Sequence, residues 1–264
     1  MLGAGLNITS SAASAVFTSK SATFSNDYSL LLDGTGDYFD TNYSANDVFD
    51  GDFSASIWVR PTDGRSSNQM LWGAGTPTDY IYLAIDGLGR LVSFHVSNGD
   101  TAIVVSSVVF DDGEQSAWTH VVFSVVGGHG SDTTYQFYAN GSAITTGLLL
   151  GSLVVSSANH VQFDSGDKSL YIGGHNANGS LSSPITGHID EFSLHDEALS
   201  SDAVAAIYND GVAINLTEAS GDYDTPQRLS LYYRFENNAN DEGSVGSNGS
   251  LAADALYSTA ITPP

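Results

Sequence analysis

Apolar and polar positions alternate along most of this chain with a period of two. In "FSASIWVRP" Phe53, Ala55, Ile57 and Val59 share one face and Ser54, Ser56, Trp58 and Arg60 the other, with Pro61 ending the run. "SLLLDGTGDYFDT" reads as an apolar strand, a Gly-rich turn over Asp33 to Gly36, and a second short strand carrying Tyr38 and Phe39. "YIYLAIDGLGRLVSFHVSNGD" predicts two strands joined at Asp86-Gly87 and closed at Asn98-Gly99, dipeptides suited to tight hairpins. "WTHVVFSVVGG", "TYQFYANGSAI" and "SLYIGGHN" repeat the pattern, and "LSLYYRFE" adds a late strand at 229–236. Short strands with turns at this spacing predict an all-β chain, a two-sheet antiparallel β-sandwich.

One segment changes period. In "LSSDAVAAIYNDG" Ser200 is the expected N-cap, Leu199 and Val204 a hydrophobic staple across it, Asp202 a favourable charge at the positive helix end, and Gly211 the left-handed stop. Val204, Ile207 and Tyr208 form a single apolar stripe, so this one short α-helix is expected to pack on a sheet edge or end. Residues 1–24 are rich in Ser, Ala and Thr without periodicity and read as a polar N-terminal arm. Residues 25–264 read as one domain that includes the late strand.

Composition narrows the chemistry. Seven basic against thirty acidic residues give a formal net charge of −23, which repels nucleic acid and anionic membranes and favours divalent cations wherever carboxylates converge. With no cysteine, no disulfide framework and no thiol chemistry are available. Neither a charged start followed by an apolar block nor an 18-residue apolar run occurs, so the chain is expected neither to pass through the general secretory route nor to span a membrane.

Catalysis is not expected. Glycoside cleavage from a sheet needs carboxylates at alternating strand positions, and no Glu-x-Asp-x-Glu occurs. In "IDEFSL" strand alternation places Asp190 with Phe192 and Leu194 and sends the adjacent Glu191 to the opposite face, toward solvent, so the two cannot share a substrate. His120, His188 and His195 lack zinc spacing, and no Gly-x-Ser-x-Gly elbow is present. Asp190, heading an otherwise apolar face, needs either a cation or several backbone amides.

The order of "SLLLDGTGDYFD", "FSASIWVRP", "WTHVVFSVV", "YQFYANGSAI", "LYIGG" and "GHIDEFSLHDEALSSDAVAAIYNDG" resembles the successive signatures of laminin-G-like, concanavalin A-like jelly rolls. The likeness runs from Tyr28 to Gly211, and "LSLYYRFENNANDEGS" extends it to about Ser244. In many relatives the counterpart of "LYYRFE" opens the domain, whereas here it comes late; a strand needs only its place in the sheet. This arrangement is similar to virion proteins of marine tailed phages. The resemblance implies a jelly roll and a non-enzymatic virion surface protein, a head decoration or a tail or fibre module. Its partners would be other virion proteins of the capsid or tail, copies of itself, and a host-surface glycan. The alternative is an extracellular, calcium-assisted lectin or adhesin of a marine bacterium.

The resemblance also implies a structural Ca2+ held by Asp190, by the turn residues Gly34, Gly36 and Asp37, and by Glu236 or the backbone of Phe235. For glycans, rings beside amides at sheet ends are the usual ingredients, which points to Trp72, Tyr80 and Tyr82 and to His175, Asn176 and Asn178. For Trp72 and the tyrosines, core or edge packing is the commoner role of such rings and stands beside the sugar reading.

Overall fold

The structure is a computed structural model and describes residues 24–44, 51–65, 68–76, 80–97, 100–126, 133–150, 169–177 and 180–264. All but the last residue of the expected arm lies outside them, as does the turn at Asn98-Gly99. In chain order the strands are β1 (Ser29–Asp33), β2 (Tyr38–Ser44), β3 (Phe53–Pro61), β4 (Gln69–Gly75), β5 (Tyr80–Ile85), β6 (Arg90–Ser97), β7 (Asp100–Val108), β8 (Thr119–Val126) and β9 (Thr134–Ala139). There follow β10 (Ser142–Ala143), β11 (Thr146–Leu150), β12 (Ser169–Ile172), β13 (His175–Ala177), β14 (Ser180–Ser182), β15 (Thr186–His195), β16 (Leu229–Tyr233), β17 (Ser250–Ala252) and β18 (Leu256–Ser258). One α-helix, α1 (Ser201–Tyr208), falls between β15 and β16.

Two eight-stranded sheets result among the described residues, as the alternation predicts, beside a two-stranded hairpin of β13 and β14. The first runs β10-β9-β8-β3-β15-β1-β18, with β16 also on β15; the second runs β11-β7-β6-β5-β4-β12-β2-β17. Their ladders are antiparallel. The inward face of β3 is the expected one: Phe53, Ala55, Ile57 and Val59 are buried against Trp72, Ile81, Leu83 and Ile85 of the second sheet. Aromatic rings tie the layers together. Phe39 meets Tyr233 and Phe235 edge-on at centroid separations of 4.9 and 5.1 Å, a geometry worth about 0.5–1.5 kcal/mol per pair beyond the area buried.

The outer face of the first sheet is buried as well. Ser54, Ser56 and Trp58 are at most 3% exposed, because α1 and the chain around it lie across this face. Leu199, Val204, Ile207, Leu216 and Tyr223 pack there on Val122 and Tyr138. The helix thus covers a sheet face, not an edge or end. Ser200 caps it as expected, accepting from the Ala203 N–H at 3.1 Å, but the left-handed stop comes at Asn209 (φ 45°), two residues before Gly211. Asparagine tolerates that conformation better than most side chains.

Strand β15 is shared along one edge by two partners. β1 pairs with its first half, Leu30 opposite Ile189, and β16 with its second, Phe192 opposite Tyr233. Between them the ladder to β3 slips: Asp190 faces Trp58 and Ser193 faces Ser56, three residues against two. This is a β-bulge. Glu191 takes φ 47°, a left-handed backbone that costs a non-glycine residue about 1–2 kcal/mol. The extra residue shifts the alternation, so Ile189, Phe192 and Leu194 all enter the core. Asp190 and Glu191 therefore lie on the same outer face, not on opposite faces, and Glu191 is 3% exposed rather than solvated. The late strand ends at Tyr233, short of 236, and Arg234 to Glu236 turn across the junction, with Phe235 at φ 55°.

Two histidines are sealed between the first sheet and its cover. Ser56 Oγ lies 2.7 Å from His120 Nε2 and Ser193 Oγ 3.0 Å from His195 Nε2, while both Nδ1 atoms lack a partner. Burial lowers both imidazoles to a pKa of about 3, and for His120 the nearby His195 adds to the effect. In the unfolded chain they take up a proton near pH 6.5; in the fold they do so only near pH 3. Stability is therefore fully present above pH 6.5 and is lost as pH falls across that window. On going from pH 7 to pH 5 each histidine is expected to remove about 2 kcal/mol of unfolding free energy. Urea unfolding at the two pH values, wild type beside His120→Gln, should show a shallower loss in the variant.

Candidate functional site

The junction on β15 collects charge. Asp190 Oδ1 accepts the Glu191 N–H at 2.9 Å. Glu236 closes the open end of β1, its carboxylate accepting the backbone N–H of Asp27 at 3.0 and 3.1 Å and of Tyr28 at 3.3 Å. The Asn26 amide bridges the two acids, 3.1 Å from Asp190 Oδ2 and 2.8 Å from Glu236 Oε1. On the other side Glu191 accepts from the Tyr232 hydroxyl and from Arg234 Nε at 3.4 Å. Arg234 also donates to the Ser25 carbonyl and stacks 4.3 Å over the Phe24 ring.

Three carboxyl groups share this junction with one guanidinium, and burial sets the behaviour of the two on β15. Burial, and then the Glu191 charge, hold the Asp190 carboxyl well above its usual range. Burial also lifts Glu191 to a pKa of about 8, although Tyr232 and Arg234 pull it down. A catalytic role does not suit these groups: the cavity beside Glu191 measures about 10 Å³, room for a water and not for a sugar.

Calcium, expected at Asp190 together with the Gly34–Asp37 turn, meets a split set of ligands. Asp33 pairs with Thr186, and Asp190 lies four residues further along β15, roughly 13 Å at strand rise. Gly34, Gly36 and Asp37 therefore cannot join Asp190 around one ion. Gly34 has a steric reason of its own: it sits at φ 81°, and a Cβ there would meet Thr186 Oγ1 at 2.1 Å. Asp33, Asp37 and Asp254 do form an acidic cluster, with carboxylate oxygens within 4.8 Å of one another. Asp37 also accepts backbone N–H groups, those of Asp33 at 2.9 Å and of Asp254 at 3.2 Å, much as Glu236 accepts those of Asp27 and Tyr28. Hard oxygens converge as well at Asp190, Glu236 and Asn26, a donor set that fits calcium. Glu236 was legible in the sequence; Asn26 was not, because it joins the group only when the strand ends meet.

The expected sugar residues scatter. Trp72 is fully buried in the core, so its ring cannot stack on a ligand. Asn178 lies outside the described residues, and His175 and Asn176 fall in β13, a short hairpin strand with β14. Tyr80 and Tyr82 project from the outer face of the second sheet, since Ile81, Leu83 and Ile85 point inward. There they build a file of rings. Tyr80 and Tyr82 stack at 5.7 Å with planes 5° apart, and Tyr82 and Phe94 at 4.9 Å. Phe94 was missed, although the hairpin turn at Asp86 sets it opposite Tyr82. Beside these rings lies a hollow of about 170 Å³ floored by Val92, Ile103 and Val105. At one end Arg90 binds Asp86 at 2.7 Å. Burial raises the Asp86 carboxyl, but hydrogen bonds from Arg90 and the Leu88 N–H outweigh it and leave the acid below its usual range.

A family model described as the concanavalin A-like lectin/glucanases superfamily matches residues 33–205. A search of the curated proteins gives no match. Among solved structures, the fold is similar to the CBM40 of a Ruminococcus gnavus IT-sialidase bound to α2,3-sialyllactose, at a TM-score of 0.53 and 16% identity, covering 68% of this chain and 96% of that one. It is also similar to a heptameric SAP-like pentraxin from Limulus polyphemus, at a TM-score of 0.51 and 14% identity over 86% of this chain and 95% of that one. A Bacteroides ovatus protein described as a candidate carbohydrate-binding protein gives a TM-score of 0.56 at 16% identity, covering 91% of this chain and 62% of that one. At such identities the likeness is one of fold. Together with the two antiparallel sheets and their single helix, the match over residues 33–205 shows that the chain belongs to the concanavalin A-like lectin/glucanase superfamily.

Proposed function

We propose that this chain is a non-catalytic glycan-binding module, with its sugar site on the outer face of the second sheet. The observation that carries the reading is the file of Tyr80, Tyr82 and Phe94 ending at the Asp86–Arg90 ion pair. Ring faces take the apolar side of a sugar, while a fixed acid and guanidinium orient its hydroxyls. The carbohydrate-binding neighbours of the same fold support it. On a glycan array the wild type is expected to bind, and Tyr82→Ala to lose at least tenfold in affinity, since stacking surface is removed without touching the core. A blank array for the wild type would remove the reading.

In this reading calcium binds at Asp190, Glu236 and Asn26. Bound there, a divalent cation would favour the ionised form of the Asp190 carboxyl, which burial otherwise holds up. Asp190 and Glu236 would supply carboxylate oxygens, and Asn26, whose amide nitrogen donates to both acids in the structure, would turn its oxygen to the ion. Calorimetric titration of chelator-treated protein with calcium chloride should show binding that Asp190→Asn and Glu236→Gln abolish and Asp37→Asn retains. At a free concentration a hundredfold above Kd the ion would add about 2.7 kcal/mol to stability. Equal heats in all four proteins would sink the site.

The finer reading places the module on a phage virion, as a head decoration or tail or fibre component held through its arm or a sheet edge. What supports it is the cysteine-free chain with a net charge of −23, suited to exposure in salty media without disulfides. Mass spectrometry of purified particles should then find the chain in symmetric copy number; its absence would favour a free lectin.

A further inference from the structure

A second concavity opens on the opposite side of the sandwich, over the outer face of the first sheet. β3 and the segment Ser116 to Trp118 leading into β8 form its floor, the end of α1 and the chain after it the far wall, and residues 261–264 its rim. At about 450 Å³ it falls within the size range of small-molecule sites. Trp58 pairs with His120 and Val59 with Thr119, so Arg60 and Trp118 project side by side into it.

Its walls are aromatic and held in place. Tyr208 stacks on Trp58 at 5.8 Å with planes 25° apart, and Trp118 meets His188 edge-on at 6.2 Å. Trp58 is almost fully buried, whereas Trp118 and Tyr208 are half-buried and offer ring surface. The polar groups are few. Asp210 is an exposed acceptor in the far wall, whereas the Trp118 indole N–H is buried and has no acceptor among the described residues, so Trp118 offers the cleft ring surface only. Arg60 is anchored by its Nε to the Gln115 carbonyl at 2.8 Å and lies 3.6 Å from Glu114.

Ring faces beside one acid and one guanidinium suit a polyhydroxylated ring better than a lipid or a peptide strand, which would want a longer apolar channel or a free sheet edge. The ligand should be uncharged. Arg60 is already matched by Glu114, the other ionised group in the wall is Asp210, and the chain as a whole carries −23. We propose that this cleft is a second saccharide site, selective for neutral oligosaccharides and independent of the ring file at Tyr82. Two sites on opposite faces would let one module bridge two glycans.

The tryptophans separate the two sites. The chain has three; Trp58 and Trp118 line the cleft, and Trp72 is in the core. Sugar entering the cleft must change tryptophan emission, while sugar at Tyr82 need not. Titrations would use cellohexaose, laminarihexaose and mannohexaose, with trigalacturonate as the acidic arm. Expected is a saturable emission change with a neutral sugar, weakened at least tenfold in Asp210→Asn, lost in Trp118→Ala and unaltered in Tyr82→Ala. Asp210 is exposed, so Asp210→Asn decides the matter if Trp118→Ala fails to fold. Flat titrations with every neutral sugar, a response to trigalacturonate alone, or a response indifferent to Asp210→Asn would each overturn the cleft without touching the Tyr82 site.

Discussion

Strand β15 has only one edge to offer on its side, and two strands that arrive from distant parts of the chain must share it. β1 takes the half from Thr186 to Ile189 and β16 the half from Phe192 to His195. Where two strand ends meet, backbone donors are left open, and a buried open donor costs about 1–3 kcal/mol. The chain answers with side chains: Glu236 accepts the amides that open β1, and Asp190 accepts that of Glu191. Once acids fill a junction their charge must be met in turn, and Arg234, Tyr232 and Asn26 surround them for that reason. A buried acid stripped of its partners would be far more damaging than the same pair never formed.

The bulge makes this possible. By inserting Glu191 it turns two consecutive acids to one face and returns Phe192 and Leu194 to the core. Phe192 then pairs with Tyr233, whose ring meets Phe39 from the other sheet. Local backbone strain at one residue is thus offset by aromatic packing that joins both sheets. The same phase shift points Ser193 and His195 outward, into the layer that α1 closes. Core, junction and helical cover all depend on one extra residue in one strand.

Much of this could be read from the residues, and the failures share a cause. β3, the hairpin from β5 to β6 and the Ser200 cap are local patterns, so alternation and turn chemistry suffice for them. The face of Glu191 is not local: period-two counting is correct up to Ile189 and fails at the bulge, which nothing in "IDEFSL" announces. Trp72 shows the limit of composition, since a tryptophan beside glycines reads equally as a sugar platform or as core, and here it is core. The split of Asp37 from Asp190 needed the pairing register, which sets Asp33 opposite Thr186, four residues before Asp190 on the strand.

The placement of the acids also decides where function can sit. Buried carboxylates hold the sheet edge together and are closed to any sugar, so the recognition proposed above falls on surfaces where rings are presented. Those surfaces lie on the outer faces of both sheets, the one at Tyr82 open by strand alternation alone and the one at Trp118 left open beyond the end of α1. An acidic chain gains from such a division. Its charge supports solubility and repels anionic surfaces, while the contacts available to a neutral ligand are short-range stacking and hydrogen bonds that salt hardly screens.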